Sequence, residues 1–266
     1  VRQLRAVVGA ETKLVHTGAT SQDVVDTATV LILRRVTGLV AARLTECQAG
    51  LLALEDRFGA RPLMGRTRMQ AAVPMTVRDR LDTWRLPLEA HAAALADLRP
   101  KVERVQLGGA VGDNAAFGED APAMVASMAR QLGLGAPHRA WHAMRAPIVE
   151  YGHLMGLISG TLGKVGQDVA LMAQQGIQDV SLAGGGGSSA MPHKQNPVLA
   201  ELLVTLARFN AVQVGGLHQA MVHEQERSGT SWTLEWMILP QICVTTCRAL
   251  VAARELFHRI ERLGEA

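Results

Sequence analysis

Four short stretches of this chain carry the side chains on which binding or catalysis would depend. The first is His16-Thr17-Gly18-Ala19-Thr20-Ser21-Gln22-Asp23, which precedes a long proline-free region. Free backbone N–H groups at a helix start, with the hydroxyls of Thr20 and Ser21, would bind a carboxylate there. Thr20 and Asp23 also have the S/T-x-x-D/E spacing of a helix cap, and capping alone would account for them. The second stretch, Gly65-Arg66-Thr67-Arg68-Met69-Gln70, sets two guanidinium groups beside two polar side chains, a set able to grip carboxylates bidentately. A solvated loop is the plainer alternative. The third runs from Gly184 to Pro197 and opens on four consecutive glycines. So much chain entropy suits a mobile lid better than a fixed turn. The lid would deliver Ser188 and Ser189, then Met191, then a proline opening a helix whose first turn holds Lys194 and Asn196. The order of a phosphate-binding P-loop is missing. The fourth, His223 to Gly229 followed by Trp232, Glu235 and Trp236, reads by itself as a solvated helix end without an H-E-x-x-H zinc pattern. His142, after Trp141, is a lone histidine of the kind more often packed than reactive.

Long helices must hold these stretches. No proline falls between Asp23 and Phe58, where Leu33, Val36, Val40, Leu44, Cys47, Leu51 and Leu54 recur at steps of three or four. That period predicts one helix with a bundle-like apolar face, about 50 Å long at ~1.5 Å per residue. Gly38 and Gly50 lower its propensity without breaking it. Further helices are predicted over Thr76–Val105, with a kink at Pro87, and over Asn114–Leu134, Pro147–Val180, His193–Arg227 and Leu234–Leu263. Breaker clusters at 59–65, 108–113, 133–137 and 183–189 separate them. Period-two runs of β-branched residues are absent, so the expected class is all-α.

Composition narrows the function. The 266 residues are 48% hydrophobic and 19% charged, which excludes a disordered chain. Cys47, Cys243 and Cys247 read as reduced core thiols, the C-x-x-x-C pair lacks the further ligands of a zinc site, and no metal is expected. The net charge of +3 is too balanced for a nucleic-acid footprint, and 3% aromatic residues are few for base stacking. A mild cationic excess suits a small anionic substrate. No uninterrupted apolar run reaches the ~18–20 residues of a bilayer span, so no membrane partner and a cytoplasmic location are expected.

Gly187 to Asn196 resembles the signature G-S-S-x-M-P-x-K-x-N of the fumarase/aspartase superfamily, which includes argininosuccinate and adenylosuccinate lyases. Thr20 to Asp23 and Gly65 to Gln70 are similar to that superfamily's other two active-site regions, in the same order. Within it the chain looks most like the 3-carboxy-cis,cis-muconate cycloisomerases, through Trp141-His142, Gly160 to Lys164, and Glu226-Arg227 followed by Glu235-Trp236.

The resemblance implies a bundle of long helices, whose central members pack into a homotetramer with composite active sites. It implies cofactor-free lactonization of a small tricarboxylate in aromatic catabolism. Ser188, Lys194 and Asn196 would be catalytic. Thr20, Ser21, Gln22, Arg66, Thr67, Arg68, Gln70, Ser189, Met191 and Arg227 would bind substrate, with His16 and His142 as weaker candidates. Adenylosuccinate and argininosuccinate lyases carry a histidine where Arg68 stands, and an arginine cannot shuttle protons at working pH. That departure disfavours the alternative, a β-eliminating lyase that protonates an amine; a non-catalytic descendant is the remaining reading. By the same resemblance residues 1–22 would end an N-terminal region, 23–240 form the central bundle and 241–266 a C-terminal helix.

Overall fold

The computed structural model describes residues 1–184, 186–187, 191 and 194–265. In chain order the elements are α1 (Arg2–Val8), α2 (Ser21–Phe58), β1 (Pro62–Thr67), β2 (Gln70–Thr76), α3 (Val77–Val102), α4 (Ala121–Leu132), α5 (Ala146–Met172), β3 (Val180–Leu182), β4 (Gly186–Gly187), β5 (Gln195–Asn196), α6 (Val198–Gln219), α7 (Thr230–His258) and β6 (Ile260–Leu263). The chain divides into two compact units. Unit 1 comprises residues 1–37, 97–151 and 218–236, and unit 2 comprises 38–96, 152–217 and 237–266.

The long proline-free stretch is one 38-residue helix, α2. Its periodic residues Leu33, Val40, Leu44, Cys47, Leu51 and Leu54 are buried, while Val36 is only partly covered. Cys47 and Cys243 are buried free thiols, and burial pushes each up to about 12. In unit 2, α5 and α6 pack closely because glycines face the contact. A Cβ on Gly163 would stand 2.4 Å from the Ala207 Cβ, and one on Gly166 would stand 2.4 Å from the Ala200 carbonyl oxygen. Asn210 on α6, fully buried, donates to Ser159 Oγ on α5 (3.0 Å) and Thr246 Oγ1 on α7 (2.9 Å). A buried amide with these partners fixes the register of three apolar helices.

Several helix limits differ from the periodicity. The predicted helix over Asn114–Leu134 begins as a 3-10 segment, Ala115–Asp120, in which Gly118 leaves helical geometry. The helix predicted to reach Val180 stops at Met172, and Val180–Leu182 instead pairs antiparallel with Ile260–Leu263, which also ends α7 early. Gly176 and Gln178, at φ 86° and 52°, turn the chain out of the helix. The segment read as a loop at Gly65–Gln70 is the tip of an antiparallel hairpin, β1–β2. α3 continues through Pro87. Both α6 and α7 contain 18-residue windows apolar enough to cross a bilayer (mean hydropathy 1.3 and 1.4), which no unbroken apolar run revealed. In this chain 56% of the α7 window is buried, against 17% for α6.

Candidate functional site

In unit 1 the start of α2 is the centre of a buried polar network. The Asp23 side chain, 2% exposed, accepts at both oxygens: Oδ1 from the Gly108 N–H (2.9 Å) and His142 Nε2 (2.7 Å), Oδ2 from the N–H groups of Thr20 (2.8 Å) and Gly109 (3.0 Å). Burial pushes this carboxyl up, but the hydrogen bonds from His142, Thr20 and Gly109 outweigh it and hold Asp23 below the usual carboxylate range. The Thr20 N–H is therefore not free for a ligand, and the Thr20 hydroxyl accepts from Arg227 (2.5 Å). Ser21 is exposed. Gln22 is fully buried and donates to Asp26 Oδ2 (3.1 Å) and the His142 carbonyl (3.0 Å), so its amide orients these groups.

One helical turn along α2, Asp26 meets Arg145, whose side chain is 1% exposed. The Arg145 guanidinium donates to Asp26 Oδ2 (2.8 Å) on one side and to Glu235 Oε2 (2.9 Å) on the other, and lies 4.8 Å from the centre of the Trp141 ring. Trp232 Nε1 and Gln106 Nε2 also donate to Asp26 (3.0 and 3.2 Å). Burial pushes the Glu235 carboxyl up, with Arg145 opposing it. The network thus fixes His142, whose Nδ1 is buried without a hydrogen-bond partner among the described residues. His16 stands apart from it. With φ at 63°, His16 lines a largely apolar cavity of about 440 Å3 with Leu107, Phe117, Met124 and Met128.

In unit 2 the arginine stretch is carried by the β1–β2 hairpin. Thr67 pairs with Gln70, which leaves Arg68 and Met69 as a two-residue turn with φ of 49° and 68°. Such turns want φ > 0 at both central positions and usually take Asn-Gly, so an Arg-Met pair stores backbone strain of roughly 1 kcal/mol or more per residue. Gly65 makes the bulge possible, since a Cβ there would lie 2.8 Å from the Val73 carbonyl oxygen. Arg66, Thr67, Arg68 and Gln70 are all exposed. Arg66 faces Asp179 at 3.6 Å.

The signature loop departs from expectation in one respect. Lys194 and Asn196 do not occupy the first turn of a helix: α6 starts at Val198, and Gln195–Asn196 pairs with Gly186–Gly187. Pro197 explains this, because it disfavours helical geometry in the residue before it. Lys194, Asn196 and Met191 border a cavity of about 910 Å3 with Glu201 and Arg262. Ser188 and Ser189 lie outside the described residues, as do Gly185, Ala190, Pro192 and His193 of the proposed lid.

Unit 1 therefore brings Thr20, Gln22, His142 and Arg227 together, and unit 2 groups Arg66 with Arg68 and Lys194 with Asn196. Sequence reasoning missed Asp26 and Arg145, and it named Glu235 without the ion pair that Glu235 makes to Arg145. The available signal was Asp23 and Asp26 at i and i+3, which share a helix face, and an arginine three residues after His142.

The profile of a family described as Lyase matches residues 2–216. The chain is 40% identical over 263 residues to a 3-carboxy-cis,cis-muconate cycloisomerase of Pseudomonas aeruginosa, covering 98% of this chain and 57% of that protein. It is 40% identical over 257 residues to a nitrosuccinate lyase of Streptomyces davaonensis, covering 90% of this chain and 53% of that one. The crystal structure of 3-carboxy-cis,cis-muconate lactonizing enzyme from Pseudomonas putida superposes with a TM-score of 0.91 at 36% identity, over 98% of this chain and 59% of that chain. The chain thus spans less than three fifths of the length of these relatives, in the part that carries the long-helix fold. A profile matched over residues 2–216, with this helical scaffold shared at a TM-score of 0.91, places the chain in the lyase family.

Proposed function

We propose that the full-length protein is a cofactor-independent cycloisomerase that converts 3-carboxy-cis,cis-muconate into 4-carboxymuconolactone. One observation carries the reading: the tip of the second active-site region is an exposed guanidinium, Arg68, which makes no ion pair among the described residues. A permanent cation binds and polarises carboxylates but moves no proton, which suits a reaction whose internal nucleophile is already ionised. Relatives named 3-carboxy-cis,cis-muconate cycloisomerase, at 35–40% identity, support the same substrate. The nitrosuccinate lyase relative keeps elimination from a succinyl derivative as the reading to test against.

In the proposed reaction a terminal carboxylate oxygen bonds to a carbon of the conjugated diene, and the π electrons move onto another carboxylate as an enediolate. Ser188 gives its proton to the α-carbon of that enediolate, which restores the carboxylate, and is recharged from solvent, so each turnover takes up one proton. Lys194, Asn196 and nearby N–H groups stabilise the developing charge, the term expected to contribute most, at several kcal/mol. Arg66, Arg68 and Arg227 hold carboxylates, and Thr20 and Ser21 belong to the same binding set. Thr67, Gln70, Ser189 and Met191 complete the binding set.

The partner is a second copy of the chain. α6 exposes Val198, Phe209 and Val212 at 52%, 40% and 74%, an apolar face that another copy's helices would cover in a homotetramer with composite sites. The test of function is loss of the diene's ultraviolet absorbance on adding 3-carboxy-cis,cis-muconate, with fumarate, adenylosuccinate and nitrosuccinate as competitors. Ser188→Ala should lower kcat at least about 100-fold with little change in KM. Comparable turnover of a succinyl substrate would replace cycloisomerisation by elimination.

A further inference from the structure

Beside the hairpin, unit 2 contains a cavity of about 590 Å3 whose lining includes Arg66 and Arg68 from the hairpin, Arg80 from α3, and Lys164 and Asp168 from α5. The lining holds four cations against two carboxylates, Asp168 and Asp179. Its arginines are poorly occupied. Arg80, with its side chain only 17% exposed, reaches Asp168 Oδ2 at 3.8 Å and the Met172 sulfur at 3.8 Å, and makes no hydrogen bond to oxygen among the described residues. Arg66 is 3.6 Å from Asp179, also beyond hydrogen-bond length. Asp168 meanwhile accepts from Trp84 Nε1 (2.7 Å) and from Lys164, which also contacts Thr83 Oγ1 (3.2 Å). A guanidinium presents five N–H donors in a fixed fork, and covering them without oxygen partners costs free energy. Elsewhere in the chain Arg145 shows the satisfied condition, with oxygen acceptors on two sides.

From this imbalance we propose that Arg80 and Lys164 are substrate-binding residues: together with the hairpin arginines they form a pocket for one carboxylate of a small polycarboxylate. The choice of polycarboxylate rests on the cycloisomerase reading above. Arg80 offers the bidentate fork and Lys164 a point charge. Asp168, braced by Trp84, holds the two cations together and weakens the net field, so its charge opposes ligand binding while its geometry supports it.

That opposition gives a test that a merely structural role would not pass. On the full-length protein, the affinity for propane-1,2,3-tricarboxylate is measured by calorimetry alongside kinetics with 3-carboxy-cis,cis-muconate. Arg80→Gln should raise Kd and KM about tenfold or more while changing kcat by less than about threefold, and Arg80→Lys should recover part of the loss. Asp168→Asn keeps an acceptor for Trp84 and removes the charge, so it should tighten binding. Arg78→Gln, on the same helix but paired with Glu55 at 2.7 Å, should leave binding unchanged. Lys164→Gln, at a side chain 49% exposed, replaces Arg80→Gln if that variant does not fold. Unchanged Kd in the folded Arg80 and Lys164 variants would overturn the pocket, and so would weakened binding in Asp168→Asn. If the wild type binds the tricarboxylate with this pattern but does not turn over the muconate, the pocket stands and the cycloisomerase reading falls. Turnover with no change of Kd in any variant gives the converse.

Discussion

Helices α2 and α3 start on the same spacing, Thr20-Ser21-Gln22-Asp23 and Thr76-Val77-Arg78-Asp79, but the two starts do different things. At α3 the motif closes on itself. Asp79 Oδ2 accepts from the Thr76 N–H (2.8 Å) and hydroxyl (2.7 Å), and Thr76 Oγ1 accepts from the Asp79 N–H (3.3 Å), all at an exposed surface. At α2 only one of these bonds forms, from the Thr20 N–H to Asp23. The Thr20 hydroxyl turns to Arg227, and the remaining capacity of Asp23 goes to Gly108, Gly109 and His142. A capping box is therefore a local solution that tertiary partners can dismantle. Where buried donors outnumber the local ones, the cap acid becomes the hub of a site.

The contrast breaks most sharply at the acids. Asp23→Ala would leave the His142 ring and two glycine N–H groups buried without their acceptor, a loss of about 3–5 kcal/mol, readable in urea unfolding. Asp79→Ala, at an exposed cap, should shift the midpoint far less than Asp23→Ala does. The acid limb of stability sharpens the distinction. Asp23 lies below its ordinary value of 3.8 in the folded state, so its contribution is fully present above that pH and is lost as pH falls through the lower folded value. Asp23→Asn should flatten the pH dependence of stability in that window. An unchanged acid limb would mean that His142 and the glycines do not stabilise the carboxylate.

Next in size are the threonine hydroxyls. Thr20→Val removes the acceptor for Arg227 while retaining the backbone N–H that Asp23 uses. If Arg227 binds a substrate carboxylate, losing its anchor should cost about tenfold in kcat/KM through one charge-assisted hydrogen bond, with little change in Tm. Thr20→Ser, which keeps the hydroxyl, should restore most of it. Equal losses in the two variants would point to packing of the Thr20 methyl group instead.

These two starts also show what could be read from the sequence. The T-x-x-D spacing located the start of α2 and is equally present, though unread, at the start of α3, because capping depends on residues three apart in the chain, and the heptad-like face of α2 is legible for the same local reason. The divergence between the starts was hidden. It depends on Gly108, Gly109 and His142, which lie 85, 86 and 119 residues beyond Asp23, and no periodicity reports such separations. Arg145 was invisible likewise, as its partners Asp26 and Glu235 are 119 and 90 residues away. The hairpin escaped because β2, exposed along most of its length, carries no alternating apolar pattern, and because its turn uses Arg68-Met69 where Asn-Gly would be the signal. The early end of α5 was missed because strand pairing between Val180–Leu182 and Ile260–Leu263 overrode an apolar run that fits a helix equally well.

The smallest effect belongs to Thr76. Removing its hydroxyl by Thr76→Ala takes one acceptor from the Asp79 N–H and one donor from the Asp79 carboxylate, a cap loss of about 1 kcal/mol. Thr76 is also the last residue of β2, paired with Pro62, so it joins the hairpin to α3. The Asp79 carboxylate would still accept from the residue-76 N–H at an unchanged backbone position, and that bond fixes the angle between strand and helix. Thr76→Ala should therefore lower stability while leaving kcat/KM for the muconate unchanged, since Arg66 keeps its place in the ladder and Arg68 its place in the turn. A fall in kcat/KM matching that of Thr20→Val would show that the cap at α3 also sets the aim of the hairpin arginines, and the two starts would then differ in reach rather than in kind.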